Sequence, residues 1–186
     1  MEHRLNGNER QLLYPIFKGT LPYEEVVCKI NTGNIGGVNN SITPTGTPYF
    51  SSNVYCSDFS ADSVSLETRW VFVHEMTHVW QYYHRINVLM SAVGLAIVTL
   101  GKYEKGYPYS LRPVRKFDSF NIEQQASIVG DYYALTQSGS ALYNKNPNPS
   151  IVEYFDLIAQ LRQSGPPHTP SNDDYDGILD GRGSSF

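Results

Sequence analysis

Cysteine is scarce in this chain, with two in 186 residues. That excludes a disulfide framework, and neither Cys28 nor Cys56 has a neighbour at metal-ligand spacing. Cys28 alternates with Val26 and Ile30, which suits a small buried hydrophobe. Positive charge is also short: 14 Lys and Arg against 18 Asp and Glu give a net charge of -4. Without a basic cluster, neither nucleic acid nor an anionic membrane surface is an expected partner. No apolar run reaches bilayer length. The longest, Val88 to Leu100, reads as a buried helix or an interfacial segment, so no membrane span is expected. The opening MEHRLNGNERQLL lacks both an apolar core of signal-peptide length and a small-residue cleavage site. A protein made in the cytoplasm without a signal peptide is therefore expected. No internal repeat of about 20 residues or more is present.

What is present is enough for one domain with a real core, since 40% of the residues are hydrophobic and 13% aromatic. Residues 1–163 are expected to form that domain. Residues 164–186, rich in Pro, Gly, Ser and Asp, have the composition of a flexible tail. Asn8 to Phe17 reads as a first helix, with Asn8 and Gln11 as a capping pair. Tyr23 to Ile30 and Thr47 to Tyr55 read as strands separated by a Gly, Asn and Thr-rich loop. Pro48 near the start of the second strand is tolerable on an edge, and an exposed edge is where an extended peptide could add itself through backbone hydrogen bonds. A polar stretch, Ser57 to Ser65, supplies a cap for a helix from about Leu66 to Arg85. Lys102 to Pro113 is a loop rich in Tyr and Pro, placed to wall a cleft. Asn121 starts another helix with Gln124 as its capping partner, and Ile151 to Arg162 is the last.

The long helix carries the chemistry. Within Phe72 to His84, FVHEMTHVWQYYH, the residues His74-Glu75-Met76-Thr77-His78 form an HExxH motif. Residues four apart share a helix face, so both imidazoles can reach one ion. Glu75 falls beside that ion, where a carboxylate can act as general base toward water. At about 100 degrees per residue, two adjacent apolar stripes cover most of the helix. The remaining sector holds His74, His78, Gln81 and Arg85, with Glu75 and Tyr82 at its border. Polar groups converging on one side of a buried helix need partners, and a metal is the simplest partner for two imidazoles.

A catalytic zinc takes three protein ligands and keeps one position open. Three residues are candidates for the third. His84 has the spacing of the metzincin motif HExxHxxGxxH, but Gln81 stands where that motif has a helix-breaking glycine. On an unbroken helix His84 points roughly 120 degrees away from His78. Glu123 is the stronger candidate: it opens a separate helix whose face also carries Ser127, Gly130 and Ala134, small enough for close approach. Asp131 is the remaining candidate, or could orient a ligating histidine from behind. Tyr132, Tyr133, Tyr109 and His168 are unranked candidates for steadying an oxyanion.

FVHEMTHVWQ, the Tyr107-Pro108-Tyr109 loop and FNIEQQASIVGDYYAL together resemble the zinc-metallopeptidase extensions at the C-terminus of VgrG-type spike proteins of the type VI secretion system, and related stand-alone effectors. The resemblance covers roughly Leu12 to Leu135. It implies a gluzincin-like site in which His74, His78 and Glu123 hold one Zn2+ and Glu75 is the catalytic base. It also implies an antibacterial toxin delivered by a spike to the periplasm of a target cell, with a cognate immunity protein. The expected fold is α+β and zincin-like, a small sheet packed on the HExxH helix. The expected activity is hydrolysis of peptide bonds in a protein or peptide substrate. The alternatives are a zinc amidase cutting peptidoglycan peptides and a zinc-stabilised binding module without turnover. Glu75 argues against the module, since a purely structural site has no use for a base.

Overall fold

The computed structural model describes residues 1–33, 40–86 and 106–168. The Val88 to Leu100 run, the start of the Lys102 to Pro113 loop and the tail beyond His168 lie outside them. The described residues form an α+β fold of three short strands and four helices. The strands are β1 (Glu2–Arg4), β2 (Val27–Ile30) and β3 (Tyr49–Phe50), and the helices are α1 (Gly7–Phe17), α2 (Leu66–Tyr83), α3 (Ile122–Ser138) and α4 (Val152–Arg162). No helix among the described residues is long and apolar enough to cross a membrane.

The sheet runs β1-β2-β3. β1 pairs antiparallel with β2, placing His3 opposite Cys28, and β2 pairs parallel with β3, placing Ile30 opposite Phe50. Both expected strands are shorter than their alternation suggests, and β1 carries too few residues to show a pattern. Tyr23 to Glu25 instead turn, with the Tyr23 amide bonded to Leu21 O and the Glu25 amide to Pro22 O. Past Phe50 the chain curls back on itself, the amides of Val54 and Tyr55 both reaching Ser51 O. An antiparallel bridge between Ile42 and Tyr49 folds the preceding loop against β3.

Capping chemistry sets the helix starts. The cap of α1 lies two residues before the expected one, at Asn6 and not Asn8, and the helix begins at Gly7. The Asn6 side chain accepts from the Glu9 amide, and the Glu9 carboxylate accepts from the Asn6 amide. Glu9 is fully buried and also receives the Phe59 amide and His3 Nε2. Those two contacts, the one to Phe59 50 residues away, favour it over Gln11 as the reciprocating residue. Ser65 caps α2, and Asn121 with Gln124 forms the capping box of α3, as their spacing predicts.

An aromatic trio joins the sheet to α2. Phe59 stacks on Phe72 of α2 with centroids 4.4 Å apart, and Phe50 of β3 lies 4.6 Å from Phe59. Each such pair contributes about 0.5–1.5 kcal/mol beyond its area burial. Cys28 lies in the same core, fully buried, and burial followed by the charge of Glu9 pushes its thiol well up.

α3 packs against the other side of α2. Gly130 is what permits the approach: a Cβ there would lie 2.6 Å from Cε2 and Nε1 of Trp70, so any larger residue would displace the indole. Next to it, fully buried Asp131 is a junction of acceptors. It receives Trp70 Nε1 at 2.9 Å, Tyr109 Oη at 2.7 Å and the amides of Leu142, Tyr143 and Asn144 at 2.9–3.1 Å. A single carboxylate thereby ties α2 and two loops to α3. Asp131→Asn, nearly the same shape, turns one acceptor into a donor facing other donors. It is expected to destabilise the fold by about 2–4 kcal/mol, seen as a fall in thermal midpoint of roughly 2–4 °C per kcal/mol. An unchanged midpoint would contradict this role.

Candidate metal centre

All residues of α2 from Phe72 to Gln81 are buried, so every polar side chain among them must be satisfied inside the protein. Thr77 returns its hydroxyl to Val73 O. His74, His78 and Gln81 face α3, and Glu75 faces the loop before β3. Helical spacing alone brings the two imidazoles together, with their Nε2 atoms 3.2 Å apart. The third member comes from α3, where Glu123 Oε2 lies 3.2 Å from His74 Nε2 and 3.3 Å from His78 Nε2. Among the described residues, His74, His78 and Glu123 are the group whose atoms could share an ion.

The size of that triangle tests its fit to a metal. Ligand atoms about 2.0–2.1 Å from a tetrahedral ion stand about 3.3 Å from one another. The three observed separations, 3.2, 3.2 and 3.3 Å, are of that size. The donors, two imidazole nitrogens and one carboxylate oxygen, are the types that zinc accepts. Three ligands account for three of the four positions of a tetrahedral ion.

Electrostatics separate the two carboxylates. Burial opposes the charged form of Glu123, but the nearby His78 charge and hydrogen bonds from both imidazoles outweigh it and hold the carboxyl well below the usual range. For His78, burial pulls its pKa down, while the charge and hydrogen bond of Glu123, with Glu75 and Gln81, bring it up to about 9. Glu75 moves the other way. Burial raises its pKa against the pull of His78, His74 and a hydrogen bond from Thr43. Thr43 Oγ1 donates to Glu75 Oε2 at 2.7 Å, and both residues are buried. One carboxylate is thus held as an anion beside the imidazoles, while its neighbour is made a better proton acceptor.

The other candidates separate clearly. His84 ends α2 outside the cluster: its ring stacks on Trp80 at 4.6 Å, and its nitrogens meet Trp80 O at 2.7 Å and Gly165 O at 3.3 Å. α2 runs unbroken through Gln81, so no bend swings His84 toward His78. Asp131 is neither a member of the cluster nor a direct partner of a histidine, because it lies about 12 Å further along α3 than Glu123. Its influence passes through Trp70, whose ring stacks on His74 at 4.9 Å. Tyr109 is likewise removed from the oxyanion candidates, its hydroxyl held between Asp131 and Tyr154. Tyr133 interacts with Arg69, and His168 binds Tyr83 O at a surface pocket with Leu21 to Glu25. Tyr132 has no described contact with the cluster. The phenol that does stand there is Tyr107, 5.4 Å from His74 edge to face. In the sequence it is one tyrosine among 14, which hides it. Thr43 carried no signal either, since a loop threonine far from the motif looks like any other.

No family model matches the chain. Among curated proteins it is similar to the type VI secretion system spike protein VgrG2b of Pseudomonas aeruginosa, at 35% identity over 106 residues. That alignment takes in 52% of this chain but 9% of the spike protein's length. Among solved structures it is similar to the effector domain of Pseudomonas aeruginosa VgrG2b, with a TM-score of 0.63 and 30% identity, covering 74% of this chain and 76% of that one.

Proposed function

The chain belongs to the family of the VgrG2b effector domain, and on that premise we propose that it is a zinc-dependent, zincin-like metallopeptidase used as an antibacterial effector of type VI secretion. The observation that carries the catalytic reading is the triangle of His74, His78 and Glu123 at tetrahedral-edge spacing, with buried Glu75 outside it but within its field. His74 and His78 would hold the ion through Nε2 and Glu123 through its carboxylate. When bound, zinc supplies Lewis acidity, bringing the pKa of a water to about 7 and polarising a carbonyl.

The chain's own groups do the rest. Thr43 holds Oε2 of Glu75, leaving the other oxygen to take the proton of the attacking water. As the C–O bond forms and the C–N bond breaks, Glu75 passes that proton to the leaving nitrogen. Tyr107, whose ring lies against His74, would donate its hydroxyl to the developing oxyanion. Delivery with a VgrG-type spike, action in the target periplasm and a cognate immunity protein complete the reading.

Replacing the base separates turnover from metal binding. Glu75→Gln is expected to keep its metal and fold while peptide hydrolysis falls on the order of 100-fold or more. The assay is mass spectrometry of a denatured proteome and of peptidoglycan after exposure to wild type and variant. Equal cleavage by both proteins would remove Glu75 as the base, and fragments from peptidoglycan alone would favour the amidase.

The ligand set is tested by metal content. Glu123→Ala is expected to lose most bound zinc, whereas His84→Ala keeps it and forfeits only packing on Trp80. Zinc lost from His84→Ala and retained by Glu123→Ala would reverse the assignment.

Compartment is tested by expression. Fused to a periplasmic export signal, the chain is expected to harm a bacterium far more than it does in the cytoplasm, and Glu75→Gln should abolish the difference. Equal harm in both compartments would count against periplasmic action.

A further inference from the structure

Gln81 is fully buried on the polar face of α2, one turn beyond His78, and the proposed chemistry has no use for it. Its amide makes three hydrogen bonds. Oε1 meets His78 Nδ1 at 2.7 Å, while Nε2 donates to Ile122 O at 3.0 Å and to Gln125 Oε1 at 3.0 Å. Gln125 in turn donates Nε2 to Phe120 O at 2.9 Å.

The polarity of this chain can be read from its far end. Phe120 O and Ile122 O are backbone carbonyls and can only accept. Gln125 must therefore present its NH2 to Phe120 O, which turns its oxygen toward Gln81. Gln81 must present its NH2 to that oxygen and to Ile122 O, which turns its own oxygen toward His78. An amide oxygen only accepts, so His78 Nδ1 carries a hydrogen, and its other nitrogen, Nε2, is the one left to face His74 and Glu123. Ile122 opens α3 and immediately precedes Glu123, and Phe120 directly precedes the cap residue Asn121.

Resting on the zinc reading above, we infer that Gln81 is the positioning residue that assembles the metal centre: it sets the tautomer and aim of His78 while fixing the first turn of α3 that presents Glu123. One side chain thereby couples ligands from two helices. It stands where the metzincin pattern has a helix-breaking glycine, so the same position that keeps the helix straight also supplies the link to α3. Glutamate cannot replace it fully. A carboxylate accepts from His78 but has no hydrogen for Ile122 O or Gln125. Methionine, similar in length, serves neither partner.

The test uses the whole chain and zinc alone, with affinity read by competition against a chromophoric chelator and folding by circular dichroism. Second-sphere partners of metal-binding histidines typically matter by 10–100-fold in affinity. Gln81→Met is expected to weaken zinc binding within that range and Gln81→Glu by less, because only the His78 contact is restored. A Co2+ absorption spectrum that changes in Gln81→Met reports an altered ligand field, which a loss of packing elsewhere would not produce. Zinc affinity within threefold of wild type for Gln81→Met, with an unchanged spectrum, overturns the inference alone. Wild type that takes up no zinc overturns the metalloenzyme reading and this inference together. Should Gln81→Met fail to fold, Gln125→Met carries the test, since it loosens the tie to α3 and leaves the His78 contact. A severalfold loss supports the role, and an unchanged affinity removes it.

Discussion

Two imidazoles and three carboxylates lie within the interior between α2, α3 and the loops that cover them, and an unpaired charge there would cost several kcal/mol. The structure meets this constraint by giving each group its own partners. Glu123 faces both histidines, His78 rests on Gln81, Glu75 accepts from Thr43 and Asp131 collects five donors. His74 Nδ1 is buried without a hydrogen-bond partner, and its ring stacks on Trp70. The arrangement depends on how closely the two helices approach, and Gly130 against Trp70 sets that distance.

Similar side chains acquire different duties here from their surroundings. Glu123 and Glu75 begin with the same chemistry, yet the imidazoles depress one and burial raises the other. Asp131, on the same helix as Glu123, is a structural acceptor because the donors around it are indole, phenol and backbone amides. It still bears on the site, since the indole it holds is the surface on which His74 rests. An acidic residue in this fold is therefore identified by its donors more than by its sequence neighbourhood.

Thr43 shows how far the site reaches beyond its motif. It arrives from the loop folded against β3 by the Ile42 and Tyr49 bridge. Gly46, in the same loop with φ +73, leaves no room for a Cβ against the Tyr82 ring. The loop is thus seated on α2 at two points, one at Glu75 and one at Tyr82 near the helix end. Orientation of Glu75 consequently belongs to the sheet side of the molecule, and the contact of His74 and His78 with Glu123 belongs to the α3 side.

Local rules made several features legible in advance. The His74 and His78 pairing follows from helical pitch, the start of α3 from the Asn121 and Gln124 spacing, and the exclusion of His84 from the absence of a glycine at Gln81. Each depends on residues within about two turns of one another, where backbone geometry leaves little choice. The cap of α1 lies at Asn6 and not Asn8 because Glu9 gains a partner in Phe59, 50 residues away, which no local rule contains. The strands were overextended because alternation does not see the turns at Tyr23 and Ser51. By itself the sequence determined the helix that bears the two imidazoles and Glu75, because covalent connection and pitch suffice for that. Only the tertiary structure decided that Glu123 closes the triangle, that Gln81 reaches Ile122 and Gln125, that Thr43 holds Glu75, and that Asp131 stands behind Trp70, because each of those contacts joins segments far apart in the chain whose meeting depends on packing.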